Sequence, residues 1–145
     1  MPMSPLERHA HRNIALKDLL YYMKRFPAPA WVSLLHRVSG VLMFAMLPLI
    51  IWALDASLKS ETSFERFKRS FDVGFGVMPG WVGKLTILAV AWAFLHHIIA
   101  GLRFIMLDST HGAVERSRSA RSAQWVLIAS VFLTLILGAK IFSLY

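Results

Sequence analysis

Residues 85–102 read LTILAVAWAFLHHIIAGL, eighteen positions without an aspartate, glutamate, lysine or arginine and with two adjacent histidines, His96 and His97, inside the run. Wound as a helix at ~1.5 Å per residue, the run is about 27 Å long, close to the thickness of a bilayer's hydrocarbon core. Two further runs have the same character. Val38 to Leu54 gives 17 residues without a charge and Ser122 to Ala139 gives another 18. A helix of a soluble bundle would carry charge along one face of each run, and these do not. The hydrophobic fraction of 57% and a mean hydropathy of +0.55 point to lipid as the solvent. The sequence therefore predicts an all-α integral membrane bundle of three transmembrane helices, with spans at about 30–54, 81–107 and 122–144.

Working outward, residues 1–29 form a tail and a surface helix, and residues 30–145 the three-helix transmembrane domain. The first 14 residues carry Pro2, Pro5, His9 and His11 with no apolar period. From Ala15 to Arg25, Leu16, Leu19, Leu20 and Met23 recur at helical spacing and predict a short amphipathic surface helix. Pro27 and Pro29 break that pattern and suit the first turn of span one. No secretory signal is recognisable in the first 30 residues, so the N-terminus is expected to be retained. Between spans one and two, Phe64, Phe67, Phe71 and Phe75 repeat at helical spacing, with Glu65, Arg66, Lys68 and Arg69 between them. This predicts an interfacial helix, started by a Thr62/Glu65 capping box and ended by Gly74, Gly76, Pro79 and Gly80.

The 16 Lys and Arg against 8 Asp and Glu give a net charge of +8. These cations flank apolar runs instead of clustering on a polar fold, which argues against nucleic acid and for anionic lipid headgroups. Ten of the 16 fall on the side of the N-terminus and of the loop between spans two and three, six on the other. Positive charge is retained inside, so the N-terminus is predicted cytoplasmic and the C-terminus periplasmic. With no cysteine the chain forms no disulfide and ligates no iron–sulfur cluster.

The chemistry should reside in polar residues that persist inside the spans. Arg37 beside His36 carries an insertion penalty of roughly 2.5–3.5 kcal/mol at mid-bilayer, less near the headgroups. It suits either a ligand or a lipid phosphate reached by snorkelling. His97 lies 11 residues before Asp108, about 16 Å deep by helical rise, whereas His36, Arg37 and Arg103 count to within about 8 Å of the cytoplasmic edge. His96 and His97 point about 100° apart and cannot chelate one ion together. Each could donate an axial bond to a haem iron or hydrogen-bond between helices. Gly101, one turn beyond His97, would let a flat macrocycle or a backbone approach. His9, His11 and His111 sit in polar segments and read as solvated. No phosphate loop, nucleophile–base pair or paired carboxylate is present, so this chain should not catalyse a complete reaction alone.

Two segments, RFPAPAWVSLLHRVSG (Arg25 to Gly40) and HHIIAGLRFIMLD (His96 to Asp108), carry H-R-x-S-G and H-x-x-x-G-x-R in order on successive spans. Here the chain resembles the cytochrome b membrane-anchor subunit of succinate dehydrogenase, respiratory complex II, over nearly its whole length. The resemblance implies an inner-membrane protein that shares haem b with a second small membrane-anchor subunit. Above them would sit an iron–sulfur subunit and a flavoprotein subunit, and electrons from succinate would reduce ubiquinone. It further implies His97 as the axial haem ligand and metal-binding residue. His36, Arg37 and Arg103 would lie near the haem propionates, and Ser33 with Arg37 would line the quinone pocket. The chain departs from many members of the family where Phe104 stands in place of a second histidine, and from an often-found Arg-Pro where it has Arg12-Asn13. A fumarate reductase or menaquinone-linked anchor shares these features, and a haem-free scaffold is the alternative from another class.

Overall fold

The computed structural model describes residues 15–109 and 116–142. Five helices follow in order: α1 (Leu16–Met23), α2 (Ala28–Leu58), α3 (Glu61–Val73), α4 (Gly80–Ser109) and α5 (Arg116–Ile141). Three of them, α2, α4 and α5, are long and apolar enough to cross a membrane. α2 and α4 run past the predicted spans at both ends and α5 at its N-terminal end, because the flanking residues stay helical, whereas α5 stops at Ile141 against the expected 144. At 31 residues α2 is about 46 Å long, so its ends extend beyond a hydrocarbon core of about 30 Å. The Asp55–Lys59 ion pair decorates one such end. At the other, Pro27 caps α2 in an extended conformation and Pro29 occupies its first turn, where a missing N–H loses no bond. The helix continues through Pro48.

The long helices alternate in direction, and α4 is central, packing on both α2 and α5. The interior is small and polar while the perimeter is large and apolar. Val32, Ala93, Ala100 and Ala123 are fully buried together with Ser39, His96 and Ser130, whereas Phe44 is 79% exposed and Trp125 69%. In lipid no hydrophobic force drives helices together, so small residues that allow close approach, and hydroxyls, take the seams. The hydroxyls are satisfied locally: Ser39 donates to the His36 carbonyl, Ser130 to Leu127 and Thr134 to Ser130.

α3 lies against the ends of α2 and α4. Its cap differs from the expected Thr62/Glu65 pair. Ser60 is the N-cap and exchanges bonds with Ser63, which places Thr62 already inside the helix. The serine three residues upstream of a second serine supplies the same two acceptors as the longer Thr/Glu pattern. Phe67 and Phe71 pack edge-on with each other and with Phe75. Phe75 belongs to the turn after α3, where it exchanges backbone bonds with Met78. Gly74 there has φ 122°, which the reversal requires. Lys84 of α4 ties down Asp72 of α3 at 2.8 Å. Beneath the phenylalanines an apolar crevice of ≈ 820 Å³ opens between α2 and α4.

α1 packs on none of the other helices among the described residues. The side chains of Leu16, Leu19 and Leu20, which define its expected stripe, lie outside the described set, as do His9, His11 and His111.

Candidate functional site

The site forms where α2 and α4 pass in opposite directions. Gly40 faces His97 and Gly101 faces His36, so each small residue of one helix receives the imidazole of the other. The rings of His36 and His97 stack, with centroids 4.0 Å apart and planes 14° from parallel. This alters the depth assignment. His36 was expected near the membrane edge and His97 deeper, yet the two rings share one level, because the side chains bridge a backbone offset of about one turn. Gly101 therefore admits a ring of this chain's own α2.

Hydrogen bonding distinguishes the adjacent histidines. His97 Nδ1 lies 3.0 Å from the His36 carbonyl, which can only accept, so Nδ1 carries the proton. Ser39 Oγ, 3.2 Å from the same Nδ1, has committed its own proton to the His36 carbonyl and therefore accepts as well. His97 Nε2 is left with its lone pair and no hydrogen bond among the described residues, and it is not sealed inside the chain. His96 is fully buried, with Nδ1 against Ser130 Oγ and its ring stacked on Trp92. The Nε2 of His96 is enclosed without a partner, and a macrocycle could not reach it without separating the helices. A half-buried imidazole of fixed tautomer with an unbonded Nε2 fits ligation of a haem iron at His97, and the enclosed His96 fits it less well.

The remaining predicted residues divide between two faces. Ser33 and Arg37 are four apart on α2 and therefore share a face, Ser33 half-buried and Arg37 exposed. Arg37 has neither a hydrogen bond nor an ion pair among the described residues, an unusual state for a cation within a span. Arg103 is 6% exposed and turns toward α5, its Nε donating to Ser122 Oγ and its Nη2 to the carbonyl and Oγ of Ser119, each at 3.0 Å. It is not brought to Arg37. Phe104 packs edge-on against His36 at 5.3 Å.

Ser39 and Gly40 lie in the H-R-x-S-G motif, whose sequence alone does not assign them a task. Their offsets of three and four from His36 were the available signal, since such residues share its helix face. Ser119, Ser122 and Ser130 carried none, because their partners lie on another helix.

A family model described as the succinate dehydrogenase/fumarate reductase transmembrane subunit matches residues 10–137. The succinate dehydrogenase cytochrome b556 subunit of Paracoccus denitrificans is 29% identical over 112 residues, spanning 77% of this chain and 80% of that protein. The equivalent subunit of Coxiella burnetii is 28% identical over 113 residues, covering 78% and 84%. Together with three apolar helices among the described residues, the match over residues 10–137 means that this chain belongs to the succinate dehydrogenase/fumarate reductase transmembrane subunit family.

Proposed function

We propose that this chain is the haem b-binding anchor of succinate:ubiquinone oxidoreductase, with its N-terminus on the cytoplasmic face of the inner membrane. The observation that carries the reading is His97, whose Nδ1 is tied to a carbonyl and whose Nε2 is free at the α2–α4 seam. When bound, haem b supplies a one-electron redox site between the iron–sulfur subunit and the quinone. His97 would ligate the iron, together with a residue of a second small anchor subunit. His36 packs on the His97 ring, and with Arg37 it would hold the haem propionates. The Nε and Nη2 of Arg103 are held by α5, so it contributes positive charge at that end of α4 without reaching across.

Arg37 and Ser33 form the quinone-facing pair. Quinone oxygens gain negative charge on reduction, and a guanidinium and a hydroxyl on one helix face would favour that change over binding of the neutral form. Succinate oxidation itself belongs to the flavoprotein subunit. The family model also spans fumarate reductase anchors, and the names of the two relatives favour the succinate-oxidising direction.

The test is purification of the complex through a tag on this chain, followed by a reduced-minus-oxidised absorption spectrum. A b-type signal that His97→Ala removes and His96→Ala leaves supports the reading. Absence of any signal in a complex that still holds the flavoprotein would leave a haem-free scaffold.

A further inference from the structure

We propose that Ser39 and Gly40 are positioning residues that seat the His97 imidazole and set its strength as an axial ligand; the proposal rests on His97 being that ligand. Three observations converge. First, His97 Nδ1–H is shared between two acceptors, the His36 carbonyl at 3.0 Å and Ser39 Oγ at 3.2 Å. Second, Ser39 is fully buried, and its single proton goes to the same His36 carbonyl at 2.8 Å. The hydroxyl therefore meets His97 only as an acceptor, and it fixes the tautomer that leaves Nε2 a lone pair. Third, a Cβ on Gly40 would stand 3.0 Å from His97 Cε1 and 3.4 Å from Nδ1, tighter than ordinary packing. Gly40 is thus the floor on which the ring lies, and the stacked His36 ring is the wall.

A bond from Nδ1–H to an acceptor shifts electron density toward Nε2 and makes the ligand more basic, which favours the ferric iron. Removing one of the two acceptors weakens that push. Ser39→Ala keeps the helix and nearly the same volume, so haem should be retained with a midpoint potential higher than wild type. Gly40→Ala displaces the ring itself, and haem should be lost about tenfold or more faster, the usual scale for disturbing a ligand's supporting shell.

The experiment uses the whole complex, with haem per complex measured by pyridine haemochrome and the potential by redox titration. His97→Ala serves as the control on the underlying reading; if it keeps its haem, the ligand assignment itself fails. If His97→Ala loses haem while Ser39→Ala keeps the wild-type potential, the seat proposal is overturned. It is equally overturned if Ser39→Ala lowers haem content but leaves the potential of the remaining haem unmoved, since packing alone would do that. Should Gly40→Ala fail to assemble, the potential of Ser39→Ala still decides.

Discussion

Replacing Arg37 by leucine should separate quinone chemistry from assembly. Arg37 is exposed on α2 and has no partner among the described residues, so its removal orphans nothing within this chain. Leucine also inserts more readily, by up to roughly 3–4 kcal/mol at mid-bilayer and less near the headgroups, so α2 should still span. The loss then falls on the interaction with the ligand. A hydrogen bond to a charged group is worth about 1.5–3 kcal/mol. At about 1.36 kcal/mol per factor of ten, kcat/KM for quinone should drop roughly 10- to 150-fold. The assay pairs quinone reduction with reduction of an artificial dye that takes electrons at the soluble subunits, both normalised to covalent flavin. Dye activity should stay at the wild-type level. If both activities fall in parallel with complex yield, Arg37 holds the helix and the quinone assignment is wrong. If Arg37→Lys and Arg37→Leu both leave quinone kinetics unchanged, the side chain only meets lipid phosphate.

Ser33→Ala, tested in the same paired assay, should reduce quinone turnover less than Arg37→Leu, because a neutral donor is about half as strong as a charged one; an equal or larger loss would reverse the assigned roles. Arg103→Leu removes three bonds to α5 but leaves Ser122 paired with the Ser119 carbonyl. The complex should be less heat-stable by about 1–3 kcal/mol, read as an earlier loss of detergent solubility. The Lys84 ammonium, by hydrogen bond and by charge, holds the Asp72 carboxyl below its ordinary value of 3.8. This link between α3 and α4 should be intact above that value and lost as pH falls through the depressed one. Asp72→Asn should abolish the acid-induced rise in hydrogen exchange near Gly74, and an unchanged rise would show that another group is responsible. Ser60→Ala removes the cap of α3 and should fray its first turn by about 1 kcal/mol, visible as faster exchange at the Ser63 amide.

The spans were legible in the sequence because lipid forbids charge along some seventeen or more consecutive positions, a condition that needs no knowledge of neighbours. The existence of the short helix α1 and the prolines that start α2 were legible too, from local periodicity and backbone chemistry. His97 stood out for the same reason, as an imidazole where hydrocarbon was expected. What separated it from His96 by more than a helix angle was tertiary. His96 meets Ser130, 34 residues away, and is sealed, while His97 meets Ser39, 58 residues away, and keeps a free nitrogen. The level shared by His36 and His97 was hidden too, because counting residues from a membrane edge measures backbone rise and omits side-chain reach. Arg103 shows the limit most clearly. Its depth could be counted, but which neighbour it faces is set by the rotation of α4 between α2 and α5, and that rotation is fixed only when small residues of three helices pack at once.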